Sequence, residues 1–103
     1  MTLELDFNIA LNEENNFQLM PVKGEYVEIP GFETFKFFVH KTDDFYNINE
    51  FTTGANIAHK KYLMDALENA KINLNSVGIE QFKDMITMTL NCFKEPVNKT
   101  TAE

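Results

Sequence analysis

The sequence predicts an α+β domain, in which an antiparallel sheet of about four or five strands precedes two C-terminal helices packed on one face. Residues 2–11 alternate strictly between apolar and polar side chains, which is the period of a half-buried strand. Further alternating segments, separated by turn residues, continue to residue 58. From about residue 60 the apolar residues recur every three or four positions, which is helical spacing.

The first strand is predicted over residues 2–11, and a polar loop over 12–16 follows it. Residues 17–22 are a candidate partner strand. Pro21 lacks an amide donor, so it places this segment at a sheet edge or at a strand end. We expect a turn at Lys23-Gly24-Glu25.

A short extended piece over residues 26–29 is closed by Pro30-Gly31. Residues 35–40 alternate as a second firm strand, with Phe35, Phe37 and Val39 on one face. Residues 41–44 form a hairpin loop. A strand over 45–51 follows, and Thr53-Gly54 marks the turn into a short strand over 55–58.

Two helices complete the prediction. The first runs from about residue 60 to Val77, and we expect Gly78 to end it in a left-handed cap. The second runs from about Ile79 to Phe93, and Pro96 stops it. The inward face of the first helix is Leu63, Ala66, Leu67, Ala70, Leu74 and Val77, and that of the second is Ile79, Phe82, Ile86, Leu90 and Phe93.

A chain of 103 residues supports one domain. We place it at residues 1–96 and expect a frayed polar C-terminal tail over 97–103. The N-terminus has neither the basic region nor the apolar run of a signal peptide, and no apolar stretch is long enough to span a membrane. We therefore expect a cytoplasmic protein of a bacterial host.

The charge balance narrows the class of partner. The chain has nine lysines, no arginine and 16 acidic residues, for a net charge of −7. This argues against direct nucleic-acid binding, since that affinity comes mostly from lysine and arginine contacts to phosphates. Residues 1–35 hold seven acidic residues and one lysine, a net charge of −6. The acidity is therefore mainly a property of the N-terminal third.

No catalytic constellation is predicted. Cys92, the single cysteine, could nominally pair with His40 or His59 as a nucleophile and its base. It lies on the second helix, one residue from the buried stripe, and a small packed thiol is the favoured interpretation. His40, Asp43 and Asp44 could nominally bind a metal, yet they match no zinc or calcium spacing. A solvated hairpin tip is favoured there. We therefore predict a non-enzymatic protein with no cofactor and no metal.

Two features suggest a partner-binding surface. Phe38 faces away from Phe35 and Phe37, so either a second strand layer buries it, which is the favoured alternative, or it is exposed as a partner contact. Glu4 and Asp6 lie on one side of the first strand, about 6.6 Å apart at roughly 3.3 Å per residue. Such carboxylates can imitate a nucleic-acid backbone to a basic surface, although a solvated strand face has the same sequence. The candidate partner-binding residues are Glu4, Asp6, Glu13, Glu14, Phe38, Asp43 and Asp44.

Three segments of the chain resemble small proteins of phages and integrative elements. They are Phe37-Phe38-Val39-His40-Lys41, the segment from Tyr46 to Ala58 with its Glu50-Phe51-Thr52-Thr53-Gly54, and the segment from Ala66 to Leu74 with Gly78. The resemblance covers about residues 37–80. It implies an inhibitor of host defence, foremost an anti-CRISPR protein that blocks guide RNA or DNA binding by a type II CRISPR nuclease.

The partner would then be a basic host protein, bound by a monomer or a small homo-oligomer, with no membrane involved. The order of strands and helices also resembles HicB-type antitoxins, which neutralise a basic ribonuclease toxin. A structural accessory protein of a phage or conjugative element is a further alternative.

Overall fold

The computed structural model describes residues 5–13, 16–93 and 96–98. Its five strands form one antiparallel sheet in chain order. Two helices follow, and the predicted α+β class is confirmed. The elements are β1 (Leu5–Glu13), β2 (Asn16–Val27), β3 (Phe37–Thr42), β4 (Phe45–Glu50), β5 (Asn56–Lys60), α1 (Leu63–Val77) and α2 (Ile79–Phe93).

The β1–β2 hairpin is longer than the sequence suggests. Its ladder runs from Leu5↔Gly24 to Glu13↔Asn16, so the loop predicted over 12–16 is mostly strand. The turn predicted at residues 23–25 is wrong, because these residues lie within β2 and pair with its neighbours. A Cβ at Gly24 would overlap the Val39 carbonyl oxygen of β3. Gly24 permits two strands to approach closely. The β2–β3 ladder covers only Gly24–Val27, so Pro21 is paired with β1 alone, as at an edge.

The β3–β4–β5 meander follows the predicted order. Asp43, with φ of 50°, and Asp44 form the tight turn between Thr42 and Phe45. The turn at Gly54 also exists, with φ of 70°. A Cβ at Gly54 would lie 2.9 Å from the Ala10 backbone nitrogen, so this glycine provides both the positive φ and the close approach to β1.

The helices pack on one face of the sheet. Ala66, Ala70 and Leu74 of α1 and Phe82 of α2 are buried there, and they share one apolar cluster with Phe37, Val39 and Ile48. The predicted bounds of α2 are confirmed. α1 begins three residues later than predicted, since residues up to Lys60 pair in β5. Gly78 ends α1 with φ of 90° and ψ of 154°, which is a positive φ but not the predicted left-handed helical cap.

β1 belongs to the same sheet but also covers the face of β3 that lies opposite the helices. Phe7 and Ile9 of this strand form a second apolar cluster with Phe38 and Phe51. The Phe7 and Phe38 rings are stacked, with centroids 4.2 Å apart and planes within 1°. Phe38 is completely buried. The prediction that Phe38 contacts a partner is therefore wrong, and the alternative of full burial by a second strand layer is confirmed.

The segment after α2 returns to the sheet. Val97 donates a backbone hydrogen bond to the Thr52 carbonyl (2.8 Å). The Asn98 side chain accepts from the Asn8 amide (2.7 Å) and donates to the carbonyls of Asn8 and Phe51 (both 2.8 Å). The frayed tail expected from residue 97 is therefore wrong for these two residues, because their polar groups are paired with the domain. Residues 99–103 lie outside the described part of the chain.

Candidate functional site

The predicted acidic surface is not a single patch. Asp6 is exposed on β1 and forms an ion pair with Lys23 of β2, with 2.6 Å between Oδ1 and Nζ. Asp43 and Asp44 are exposed at the β3–β4 turn, and neither lines a described cavity with Asp6. Glu13 is the last residue of β1. Glu4 and Glu14 lie outside the described residues.

The largest described cavity lies between β1, the end of β2 and the loop over residues 28–36. It has a volume of about 710 Å³. Three exposed acidic residues line it: Asp6 of β1, and Glu28 and Glu33 of the loop. Aromatic residues also line it. The rings of Phe7, Tyr26 and Phe51 contact one another and form its floor, while Phe35 and Phe37 pack against Phe82 of α2. We call this cavity the acidic groove and its three exposed acidic residues, Asp6, Glu28 and Glu33, the rim.

The aromatic floor is held by ring-to-ring contacts. Phe7 meets Tyr26 edge to face, with centroids 5.2 Å apart and planes at 89°, and meets Phe51 similarly at 6.1 Å and 86°. Tyr26 and Phe51 are 5.7 Å apart and tilted by 40°. Because Phe7 is also stacked on the buried Phe38, the rings are fixed from below. Tyr26 remains 45% exposed and presents its ring to solvent.

Lys36 lies over this floor. Its Nζ is 5.6 Å from the Tyr26 ring centroid and 5.5 Å from that of Phe51, both within the range of a cation–π interaction. Its backbone carbonyl accepts a hydrogen bond from the Phe51 amide (2.9 Å). The base of the Lys36 side chain is thereby anchored beside one of the two rings that its ammonium group faces.

A second cavity of about 480 Å³ adjoins the acidic groove. It shares Phe35, Lys36, Phe51 and Asn98 with the groove and continues towards α2. Its further lining residues are Thr34, Glu50, Thr52, Ile86, Leu90 and Pro96. The two cavities are therefore neighbours, and Lys36 is one of the residues that line both.

The Glu50 carboxylate fixes the segment that carries Phe51. Glu50 is buried, and its oxygens accept hydrogen bonds from the backbone amides of Thr52 (3.0 Å) and Thr53 (2.8 Å). They also accept from the two threonine hydroxyls (2.9 Å and 2.7 Å). Four donors compensate for the burial of this charge. The segment from Glu50 to Gly54 thus has a structural role, which is to hold Phe51 under the groove.

Polar side chains occupy the other end of the face that β1 covers. Six polar residues line a cavity of about 250 Å³ together with Ile9 and Ala10. We call them the polar cluster: His40, Thr42, Asn47, Asn49, Asn56 and His59. His40 Nε2 contacts Asn49 Oδ1 (3.1 Å), while Asn49 Nδ2 donates to the Gly54 carbonyl (2.9 Å). Asn47 contacts both His59 Nδ1 and the Thr42 hydroxyl.

The electrostatics of the polar cluster are set by burial. Since Asn49 Oδ1 can only accept, His40 Nε2 carries the proton of the neutral ring. Burial lowers the pKa of His40 below its ordinary value, and the hydrogen bond to Asn49 opposes this shift. His40 is thus held neutral, and its Nδ1 has no hydrogen-bond partner among the described residues.

The structure separates the residues considered for catalysis or metal binding. His40 is buried in the polar cluster, whereas Asp43 and Asp44 are exposed at the turn. Within residues 5–13, 16–93 and 96–98, no three His, Cys, Asp or Glu side chains are grouped to hold a metal ion. Cys92 is exposed on α2, so the prediction of a packed thiol is wrong. Its side chain lies on the outer side of the helix, away from the side that carries Ile86 and Leu90.

Most residues of the acidic groove were not singled out from the sequence. Of the predicted set, only Asp6 lines it. Tyr26, Glu28, Glu33 and Lys36 were counted in the charge and strand patterns but not identified as site residues. The one available signal was the excess of acidic residues in positions 1–35. The groove joins segments far apart in the chain, so no local spacing could reveal it.

The fold and the groove define a small α+β protein with a cavity lined by aromatic and acidic residues. Comparison with protein-family models, with curated proteins and with solved structures finds no match for this chain. In the part of the chain that the structure describes, neither helix has the length and apolar character needed to cross a membrane.

Proposed function

We propose that this protein is a non-enzymatic inhibitor that binds a basic, nucleic-acid-handling host protein and holds a positively charged segment of it in the acidic groove. The observation that carries the proposal is one cavity of about 710 Å³ that three exposed acidic residues, Asp6, Glu28 and Glu33, line together with an aromatic floor. Charge complementarity selects a basic occupant.

Charge and apolar surface act at different distances. The net charge of −6 in residues 1–35 attracts a basic surface before contact and raises the association rate. Once in contact, exposed aromatic surface such as that of Tyr26 contributes short-range affinity, since aromatic side chains are enriched at protein interfaces. The adjoining cavity extends the surface towards α2, which gives room for an extended segment rather than a single side chain.

We propose a type II CRISPR nuclease as the first target to examine. Such a nuclease holds its guide RNA and DNA in a positively charged channel, and an acidic protein bound there would block either nucleic acid. The resemblance to proteins of phages and integrative elements over residues 37–80 supports this choice. The target remains a proposal by analogy, while the groove supports the wider class of basic protein partner.

The test is a plasmid-interference assay in which the protein is co-expressed with a panel of type II nucleases. The rim variant combines Asp6→Asn, Glu28→Gln and Glu33→Gln. Its matched control combines Glu68→Gln, Glu80→Gln and Asp84→Asn, which remove the same charge from exposed positions on the helices. We expect the rim variant to lose about tenfold in inhibition, as three weakened charge contacts would produce, and the control to retain it.

Two results would contradict the proposal at different levels. Undiminished cleavage by every nuclease in the panel would rule out the CRISPR target and leave other basic partners to be sought by affinity capture. Inhibition lost equally in the rim variant and its control would show that net charge acts without the groove. A native mass measurement showing a large ring or filament would favour the structural accessory role instead.

A further inference from the structure

We infer that the aromatic platform of the acidic groove is a binding site for the guanidinium group of an arginine, and that Lys36 occupies this site in the free protein. The inference rests on the proposed function, since it names the side chain by which a basic partner would be anchored. It adds that a residue of the protein itself, Lys36, competes with the partner's arginine for the site, which the overall charge does not imply.

The platform has the geometry of a cation site. The Lys36 ammonium lies 5.6 Å and 5.5 Å from the centroids of Tyr26 and Phe51, so two ring faces attract the same charge. The rings are held at 5.7 Å from one another and are supported by Phe7. A cation entering this place meets rings that need no rearrangement, which lowers the cost of binding.

Lys36 can leave the platform. Its side chain is exposed, and an ammonium group is strongly hydrated, so moving into solvent costs it little. Its backbone stays in place, because the carbonyl is bonded to the Phe51 amide. Lys36 lies where the two cavities adjoin, so an extended occupant that crosses the junction must displace its ammonium group.

Arginine fits the displaced site better than lysine does. A guanidinium is planar, stacks on aromatic faces and is less hydrated than an ammonium, and its donors match a carboxylate in two places at once. The same cavity is lined by Tyr26 and Phe51 and by two exposed acidic residues of the adjoining loop, Glu28 and Glu33. Lys36, as a compact charge, uses the faces but not the forked geometry.

The experiment uses the full chain and three end-blocked pentapeptides of sequence Gly-X-Gly-X-Gly, in which X is arginine, lysine or citrulline. NMR titration follows the Tyr26 ring and the Lys36 side-chain methylene next to Nζ. We expect the arginine peptide to shift both signals and to bind about fivefold more tightly than the lysine peptide, the size of one cation–π contact. The citrulline peptide, which keeps the shape but lacks the charge, should not bind measurably.

Two variants separate the platform from general charge. Lys36→Met keeps an apolar stem but removes the competing ammonium, so it should bind the arginine peptide about fivefold more tightly. Tyr26→Leu removes a ring face and should bind about fivefold more weakly. Tyr62→Leu is the matched control, since Tyr62 is 62% exposed before α1 and lines neither cavity, and its affinity should be unchanged.

Several results would overturn the inference. Equal binding of the citrulline peptide would show that charge is not recognised, and unchanged affinity in Lys36→Met would show that Lys36 does not compete. Tyr26 signals that shift with protein concentration in the absence of peptide would show that a second copy fills the groove. If the rim variant abolishes inhibition of a basic protein while Lys36→Met and Tyr26→Leu leave it unchanged, this inference fails and the proposed function stands.

Discussion

The two ends of the face that β1 covers solve the same burial problem with different chemistry. At one end, Phe7 stacks on Phe38 and the contact is apolar. At the other end, His40, Asn47 and Asn49 are buried and joined by hydrogen bonds. Apolar burial does not depend on direction, so the aromatic end can border an open groove. Polar burial requires particular partners, so the polar cluster fixes the arrangement of the strands.

The difference teaches which end specifies the fold and which is available for binding. His40 pairs with Asn47 across β3 and β4, and Asn47 pairs with His59 across β4 and β5. A slip of one residue would turn these polar side chains towards the helices. The polar cluster therefore fixes the register of β3, β4 and β5. The groove instead presents exposed ring surface, such as that of Tyr26.

The largest expected effect is at the aromatic end. Phe38→Ala should lower the free energy of unfolding by about 3–5 kcal/mol, because it leaves a cavity beneath Phe7. Phe45→Ala, at a ring that is 39% exposed, should cost no more than about 1 kcal/mol. Chemical denaturation measures both. Equal losses would mean that the stacked pair is not a core of its own.

Glu50→Gln should have the next largest effect on stability. The amide group that replaces one oxygen faces N–H and O–H donors of Thr52 and Thr53, so we expect a loss of about 2 kcal/mol. Glu68→Gln, on the exposed side of α1, should change the free energy of unfolding by less than about 0.5 kcal/mol. A Glu50→Gln protein as stable as the parent would show that the carboxylate does not fix the segment carrying Phe51.

The polar cluster should make stability depend on pH. The pKa of His40 is lowered from 6.5 in the folded chain, so below pH 6.5 the unfolded state binds the proton more readily and stability falls as pH falls. Between pH 7 and 5.5 the loss should be at most about 1 kcal/mol, because one histidine is involved and in the unfolded chain, with a pKa of 6.5, it is only partly protonated over the upper half of this range. Denaturation midpoints at several pH values measure it.

The matched variants for this prediction are His40→Gln and His59→Gln. His59 is exposed, and it is the other titratable residue lining this cavity. The pH dependence in this range should be much reduced in His40→Gln and largely kept in His59→Gln. The opposite pattern would assign the dependence to the exposed histidine and contradict the role of burial.

The smallest effect is expected at the groove rim. Asp6→Asn, Glu28→Gln and Glu33→Gln should each change the free energy of unfolding by less than about 0.5 kcal/mol, because exposed charge pairs such as Asp6–Lys23 contribute little. Thermal unfolding of the rim variant measures this. A large loss of stability would assign the rim carboxylates to the fold and would remove the contrast between the two ends.

The sequence predicted those features of the fold that depend on local periodicity. Alternation located β1, and spacing at three and four residues located both helices, with α2 bounded as expected. Gly24 misled because a glycine is equally compatible with a turn and with close approach of two strands, and only the position of Val39 distinguishes them. The burial of Phe38 could not be decided from the sequence either, because it depends on the position of another strand, β1.

The candidate site was less predictable than the fold. Tyr26, Glu33, Lys36 and Phe51 line one cavity only because the fold brings β2, the loop before β3 and the segment after β4 together. Asp6 was identified because the acidic strand face is visible as a pattern. Cys92 was misplaced because it is adjacent to the apolar side of α2 in sequence, while helical geometry places it beyond that side.

Asn98 has a consequence for how this protein avoids sticking to itself. β1 ends the sheet, and an outer strand offers a template to which another chain can add a strand. Asn98 occupies the backbone groups of Asn8, and the Gly54 carbonyl accepts from the Ala10 amide. On the opposite edge, the Asn73 amide donates to the Ile57 carbonyl of β5. Side-chain amides thus cover part of both outer edges. A substitution of Asn98 should therefore promote aggregation before it causes measurable unfolding.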